Sequence, residues 1–291
     1  MMSPTRFVHL PLVALALFAA PVIAAPAWAA DAKCEPDKLA SKYPGLVGKT
    51  IKIAQDGQSP PFSFRDPKDF NVITGLDAEL ARTVFKCAGV PIEITTGGWS
   101  GLLQAVIAGQ ADVMWDILYY TPARAEKVDF VTYLTAATAA LVPKGNPKKV
   151  KAIDDVCGLR AAAGLGSVEE AGFRDASAKC VAAGKPAVEL VTYPDLPGGV
   201  RLAKNGRVDI LMSGYTVVSR IIADNGDAFE QAYMIVSDYK IAAAVTKGNK
   251  DLAQLIKDGL EVTMADGTYN TLLKKYDLDL SLARTPEILT K

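Results

Sequence analysis

The chain contains 291 residues, of which 50% are hydrophobic and 22% are charged, and its 32 basic residues are balanced by 32 acidic residues. This composition is typical of a folded globular protein of one or two domains, and it excludes disordered, collagen-like and coiled-coil chains. The balanced charge gives no reason to expect nucleic acid as a partner.

The N-terminal segment has the pattern of a secretory signal peptide. Arg6 precedes an uncharged run over residues 7–30, which has an apolar centre and small residues at its end. The pattern predicts a signal peptide over residues 1–30 that is cleaved near Ala29 or Ala30. An uncleaved membrane anchor is the alternative, but prolines in the run leave only a short uninterrupted apolar stretch.

Cleavage would also remove the single histidine, His9. A mature chain without histidine cannot form Ser-His-Asp or Cys-His nucleophiles, His-ligated zinc sites or histidine pH switches. Any catalysis would depend on carboxylates, Lys, Tyr or Cys. We therefore expect neither a metal nor a cofactor.

Strand patterns alternate with helix patterns in the first part of the chain. The expected strands are Thr50–Ala54, Pro91–Thr95 and Asp112–Trp115, and the expected helices are Leu76–Phe85 and a segment from about Ser100 to Gly109. This alternation predicts an α/β layer with a parallel sheet.

The same pattern restarts after a polar, turn-rich stretch at residues 143–147. Strands are expected at Leu159–Ala163, Val188–Thr192 and Val208–Met212, and helices at Val168–Ala178, Leu196–Asn205, Asp251–Thr263 and Thr268–Tyr276. Two similar α/β units predict two lobes with a cleft between them. Because ligands bind at the carboxyl ends of parallel strands, the residues just after each strand are the candidate site.

The cysteines Cys34, Cys87, Cys157 and Cys180 all follow the predicted signal peptide. An even number in an exported protein favours disulfides, and no CxxC spacing indicates metal binding. The sequence leaves three pairings open. We favour Cys34–Cys87 and Cys157–Cys180, because each pair then stays within one α/β unit; four buried free thiols are the alternative.

The first candidate site is a helix start at Thr121, the expected N-cap, and Pro122. Arg124 falls in the first turn, where its charge opposes the helix dipole unless an anion compensates it. The pattern therefore predicts an anion bound by Arg124 and nearby backbone donors. An Arg124 paired with Glu126 or Asp129 on a solvated face is the alternative.

The second candidate follows the strand Leu159–Ala163. Ser167 and Glu170 form a capping box, and Gly164 and Gly166 let backbone N–H groups approach an anion. A dinucleotide site is not expected, because a third glycine is missing and the first turn is rich in carboxylates. A small-anion site and a plain capped helix both fit.

The third candidate is a set of aromatic and acidic residues placed just after predicted strands. Carboxylates beside aromatic rings suit a cation, although each residue alone is more often core or surface. The set comprises Asp56, Trp99, Asp116, Tyr119 and Tyr215.

A series of short motifs follows in order between about Lys49 and Tyr276. The motifs are Ile51–Phe64, Thr74–Ala81, Trp99–Leu103, Gly109–Val113, Thr121–Arg124, Val128–Phe130, Gly206–Asp209 and Ala265–Asn270. Together they resemble family 3 of the periplasmic solute-binding proteins, the polar amino-acid family. The single motifs are weak, but the ordered series is specific.

The resemblance implies an α/β fold of two lobes, the type II periplasmic-binding-protein fold, with two hinge strands between the lobes. Lobe 1 would comprise residues 48–134 and 242–276, and lobe 2 residues 139–236. The hinge would comprise residues 134–138 and 237–241, and residues 277–291 would form a C-terminal tail. The resemblance also implies a periplasmic monomer that carries a small molecule to the permease of an ABC importer.

Site residues follow from the same resemblance. In relatives, an Arg at the Arg124 position binds the ligand α-carboxylate, helped by lobe 2 backbone at the Gly166 and Ser167 positions. Trp99 matches an aromatic that packs on the ligand, and Asp56 matches an acid that meets polar or cationic ligand side chains.

The sequence departs from the family at several of these positions. Relatives have an Asp for the ligand α-ammonium where this chain has Ser213 and Gly214. The other unusual residues are Ser59, Asp116, Ile117 and Tyr119. A buried ammonium without a carboxylate is costly, so either Asp116 replaces the lost acid or the ligand lacks a free α-ammonium.

These features predict a non-enzymatic binding protein of an ABC importer for an amino acid or a similar carboxylated small nitrogen compound. The ligand would be cationic or zwitterionic, and Asp56 with Asp116 would suit an amidine, guanidine or N-substituted amino acid. The alternative is a cyclohexadienyl-dehydratase-like enzyme on the same fold, in which one of these acids or a Tyr would supply a proton.

Overall fold

The computed structural model of the protein describes residues 33–290, and the predicted signal peptide lies outside the described residues. The α-helices are α1 (Leu39–Lys42), α2 (Leu76–Cys87), α3 (Trp99–Ile107), α4 (Pro122–Ala125), α5 (Val168–Ala182), α6 (Leu196–Lys204), α7 (Tyr215–Asn225), α8 (Lys250–Ala265) and α9 (Thr268–Lys275). None of the helices within the described residues is long and apolar enough to cross a membrane.

The strands are β1 (Ile51–Gln55), β2 (Gln58–Ser59), β3 (Ser63–Arg65), β4 (Ile73–Thr74), β5 (Ile92–Thr96), β6 (Val113–Met114), β7 (Val128–Pro143), β8 (Arg160–Gly164), β9 (Glu189–Tyr193), β10 (Ile210–Gly214), β11 (Phe229–Thr246) and β12 (Ile288–Leu289). Short 3-10 helices lie at Pro36–Lys38, Pro44–Leu46, Ile153–Val156, Gly226–Ala228 and Leu280–Leu282.

One sheet runs through both lobes in the order β5-β1-β6-β11-β7-β10-β8-β9, with β12 paired to β7. The strands β5, β1 and β6 are parallel to one another, as are β10, β8 and β9. We call the part around the first group lobe 1 and the part around the second group lobe 2. Parallel neighbours need long crossover connections, which the helices between them supply. The predicted two-lobed α/β fold is confirmed.

The long antiparallel strands β7 and β11 lie between the lobes and connect them. The predicted hinge segments, residues 134–138 and 237–241, fall inside these two strands. Their pairing register shifts between Ile235 and Tyr239. A register shift interrupts the ladder and bends the strand locally. The exact lobe boundaries and the tail remain predictions.

The apolar faces of the helices form the core of each lobe. On α2, Leu76, Leu80 and Val84 recur at helical spacing and are fully buried. The helix α8 packs against α2 at Gly259, where a Cβ atom would lie 2.6 Å from Val84 Cγ1. A glycine at this crossing therefore lets the two helices approach closely.

Two disulfides join elements within the described chain. Cys34 is bonded to Cys87 at the end of α2, and Cys157 is bonded to Cys180 on α5. These are the two favoured pairings.

The predicted strands and helices are present, with ends shifted by a few residues. One shift affects the site: the strand predicted over Val208–Met212 is β10, which extends to Gly214, so Ser213 and Gly214 belong to the strand itself. The helix α7, which begins at Tyr215, was not predicted.

Candidate functional site

A cavity that encloses about 60 Å³ lies between the two lobes, at the carboxyl ends of the parallel strands. Lobe 1 contributes Ser59, Trp99, Ile117 and Tyr119. The polar residues and glycines of lobe 2 that line it include Gly164, Ser167, Glu169, Asp195, Ser213 and Gly214, and Tyr193 adds an aromatic ring.

The start of α5 forms one wall of this cavity. Ser167 is the N-cap, and its hydroxyl oxygen accepts the Glu170 N–H at 3.1 Å, as predicted. The Glu170 carboxylate accepts the Gly166 N–H at 2.6 Å. In a capping box this carboxylate would accept the N–H of the N-cap residue, Ser167, so here the second bond of the box is made by the preceding residue. These bonds fix the first turn of α5, from which Glu169 reaches the cavity.

Arg124 connects the two lobes beside the cavity without lining it. Thr121 caps α4 and accepts the Arg124 N–H at 3.2 Å. The Arg124 guanidinium donates to the carbonyl oxygens of Tyr119 (2.6 Å) and of Gly166 in lobe 2 (2.7 Å). Burial lowers the pKa of this guanidinium, while the charge of Glu169 raises it.

The predicted alternative partner Asp129 is engaged elsewhere. Its Oδ1 lies 2.8 Å from Lys247 Nζ, and its Oδ2 accepts the Gly248 N–H at 2.7 Å. Asp129 is therefore part of an ion pair at the end of β11. An exposed pair between this carboxylate and Arg124 is not found.

Two of the predicted ligand-binding acids, Asp56 and Asp116, lie behind the cavity wall. Asp116 Oδ2 accepts the Asp56 N–H at 2.6 Å, and the Asp56 carboxylate accepts the Ser59 hydroxyl. Burial raises the pKa of both carboxyls, and the neighbouring Asp56 and Asp77 charges raise that of Asp116 further. Both acids bind the protein's own groups, and neither lines the cavity.

A third buried acid, Asp77, holds the loop that follows β6. It accepts the Ile117 N–H at 2.8 Å and the Tyr133 hydroxyl at 2.7 Å. Burial raises the pKa of Asp77 to about 7. Ile117 has a backbone φ of 43°, which is unusual for a β-branched residue. Asp77 therefore helps to position Ile117 in the cavity wall.

The aromatic residues differ in their relation to the cavity. Trp99 donates its indole N–H to the Asp116 carbonyl at 3.1 Å and lines the cavity together with Tyr119 and Tyr193. The Tyr119 hydroxyl is buried and has no hydrogen-bond partner within the described residues. Tyr215 is exposed and does not line this cavity.

Sequence reasoning missed Glu169. This residue is 5% exposed, and its Oε1 has no hydrogen-bond partner in the part of the chain that the structure describes. Burial raises its pKa, while bonds with its own backbone and with Ser167, together with the Arg124 charge, lower it. Its position two residues after the N-cap is the only sequence signal, and it indicates an ordinary acidic first turn.

The sequence profile of the family described as "Bacterial extracellular solute-binding proteins, family 3" matches residues 51–279. L-cystine-binding protein TcyJ of Escherichia coli (strain K12) is 28% identical over 238 residues, which cover 80% of this chain and 86% of that protein. The chain therefore belongs to the family 3 bacterial extracellular solute-binding proteins.

Solved structures show the same fold. An ancestral arginine-binding protein bound to arginine superposes with a TM-score of 0.71 at 27% identity, covering 78% of this chain and 97% of that chain. The ancestral amino acid-binding protein AncCDT-1, described as a precursor of cyclohexadienyl dehydratase, gives a TM-score of 0.68 at 25% identity and covers 82% of this chain and 98% of that one.

Proposed function

We propose that the protein is the periplasmic substrate-binding component of an ABC importer. In this proposal it captures an amino acid or an amino-acid-like solute that carries a carboxylate and a positively charged nitrogen. The observation that carries the proposal is the cavity between the lobes, which both lobes line and which Arg124 borders through its contact with Gly166. Family membership and the amino-acid ligands named for the relatives support it.

Binding would proceed by hinge closure on the solute, with no chemical step. An arginine side chain carries about five N–H donors. In the contacts described above, Arg124 uses its two terminal nitrogens on backbone carbonyls, so N–H groups remain for a ligand carboxylate. At the start of α5, the N–H groups of Gly166, Ser167 and Glu170 are bonded within the protein, so only the remaining N–H groups of this turn can add donors from the opposite lobe.

The test is a thermal-unfolding series on the mature protein with a panel of solutes. The panel contains L-arginine, L-cystine, N-modified amino acids, guanidino acids and cyclic amidines. A ligand at 100 times its Kd adds about 2.7 kcal/mol of stability, which raises the Tm of a protein of this size by a few degrees. A shift with at least one panel member supports the proposal, and no shift with any member contradicts it.

The likeness to AncCDT-1 and a buried Glu169 carboxyl with a raised pKa make one enzymatic control necessary. A dehydratase on this fold would consume prephenate or an arogenate-like substrate, and the substrate's absorbance would fall. We expect no change in absorbance, because the family and the matched relative are described as binding proteins, and because Asp195, the other carboxylate that lines the cavity, caps α6.

A further inference from the structure

The strand β10 brings Ser213 and Gly214 to the cavity but no carboxylate. A Cβ atom on Gly214 would lie 2.9 Å from Tyr119 Oη. A side chain at Gly214 would therefore displace the Tyr119 hydroxyl. The negative charge that pairs with the cation of a solute must therefore come from a residue outside β10.

Asp56 and Asp116 do not meet this need. Each is held behind the wall by bonds to the other or to Ser59. Asp195 does line the cavity, but its Oδ1 accepts the Gly198 N–H at 2.8 Å as the N-cap of α6. Asp116 Oδ1 also has no hydrogen-bond partner among the described residues, but it is buried behind the wall, and Asp195 uses one oxygen to cap α6.

Glu169 is different, because it is buried, lines the cavity and has one carboxylate oxygen without a partner among the described residues. A buried carboxylate with an unused acceptor is costly unless a donor or a cation reaches it. Neither Lys nor Arg lines the described cavity, and the charge of Arg124 acts on Glu169 from beside it. The free oxygen of Glu169 is thus placed where a bound solute could supply the missing partner.

The aromatic residues of the same cavity favour a positive partner as well. Trp99, Tyr119 and Tyr193 line it from both lobes. Ring faces attract ammonium and guanidinium groups, and the attraction grows when water is excluded. Charge and aromatic surface therefore agree on the class of group that this part of the cavity accepts.

We infer that Glu169 receives the positively charged nitrogen of the solute, and thereby takes the place of an acid at the end of β10. The inference rests on the proposed function and adds which residue binds the positively charged nitrogen of the solute. Glu169 would select ammonium or guanidinium compounds over neutral compounds of the same shape. Arg124, on the facing lobe, would bind the carboxylate of the same solute.

The experiment compares, by calorimetry, charged solutes with counterparts that lack one kind of positively charged nitrogen. L-Arginine is paired with L-citrulline, which lacks the guanidinium, and with N-acetyl-L-arginine, which lacks the α-ammonium; L-cystine is paired with N,N′-diacetyl-L-cystine, and guanidinoacetate with ureidoacetate. We expect the wild-type protein to bind a charged probe at least tenfold more tightly than the counterpart that lacks the nitrogen bound by Glu169. Glu169→Gln should weaken binding of that charged probe at least tenfold and change that counterpart by less than threefold.

Asp175→Asn is the matched control, since it removes one negative charge from an exposed position of the same helix, α5, and does not line the cavity. It should keep the wild-type preference for the charged probe within threefold. The inference is overturned if Glu169→Gln keeps the wild-type preference, or if Asp175→Asn abolishes the preference equally. Unliganded melting temperatures of both variants confirm that each is folded.

These outcomes separate the inference from the proposed function. Wild-type protein that shows no thermal shift with any solute of the panel contradicts the proposed function itself, before any variant is made. A wild-type shift that Glu169→Gln retains in full leaves the binding function standing and overturns only the role of Glu169.

Discussion

Among single residues, Gly214 and Tyr119 contact each other at the cavity, which the sequence alone does not predict. A side chain at Gly214 would collide with Tyr119, because the Tyr119 hydroxyl lies 2.9 Å from the position of an added Cβ. A substitution at one of these residues should therefore depend on the other.

Gly214→Ala should lower the free energy of unfolding by about 1–3 kcal/mol, as overpacking does. Tyr119→Phe alone should cost little, because its hydroxyl has no partner in the described chain. The double variant should recover most of the loss, since the colliding oxygen is gone. Urea unfolding measures all three, and a double variant no more stable than Gly214→Ala would show that the hydroxyl is not the obstacle.

Arg124→Ala should weaken binding of the panel solute that stabilises the wild-type protein by at least about 2 kcal/mol, through loss of charge-assisted hydrogen bonds. Arg220→Ala is the control, because Arg220 is exposed and pairs with Asp224 one helical turn away. Calorimetry should show an unchanged Kd for this control. Equal affinity of Arg124→Ala and wild type would exclude Arg124 as the carboxylate-binding residue.

The site was only partly predictable at this scale. The residues that follow strand ends, such as Trp99 and Ser167, could be placed because parallel strands gather their carboxyl ends at one edge. Whether a side chain turns into the cavity or behind it depends on hydrogen bonds that sequence does not reveal. Asp116 turns to the Asp56 N–H, whereas Glu169 turns into the cavity.

At the scale of helices and strands, the α/β alternation was predictable because the hydrophobic periodicity of each segment and the Gly and Pro residues between segments indicated the same boundaries. The helix α7 was missed because its buried residues, Val217, Val218 and Ile221, are β-branched and favour strands by propensity. The central strand β7 is a long apolar run, which periodicity alone does not distinguish from a buried helix.

The disulfide between Cys157 and Cys180 supports the element that carries Glu169. Cys180 is buried on α5, and the bond closes a loop with a sequence separation of 23 residues. Replacing both cysteines by Ala should lower the free energy of unfolding by about 2–4 kcal/mol, mainly by releasing the unfolded chain. Urea unfolding measures this, and unchanged stability would show that packing alone holds α5.

For the molecule as a whole, the pH dependence of stability follows from buried acids. The single histidine is His9, in the predicted signal peptide. Side-chain titration of the mature protein between pH 5 and 8 therefore depends on carboxyls such as Asp77, whose pKa burial and the Asp56 charge raise from 3.8 to about 7. Between these values the folded state binds more protons than the unfolded state, so stability falls as pH rises.

The contribution of Asp77 should be fully present below about pH 4 and lost as the pH passes about 7, for a total of up to about 4 kcal/mol. Asp77→Asn can still accept the Ile117 N–H and meet the Tyr133 hydroxyl, but it does not titrate. Urea unfolding at pH 5, 6, 7 and 8 should show a steep decline for the wild-type protein and a shallower one for the variant. The decline that remains should come from Asp56, Asp116 and Glu169, because burial raises their pKa values as well. Parallel profiles for the two proteins would mean that Asp77 is already ionised in the folded state at pH 5.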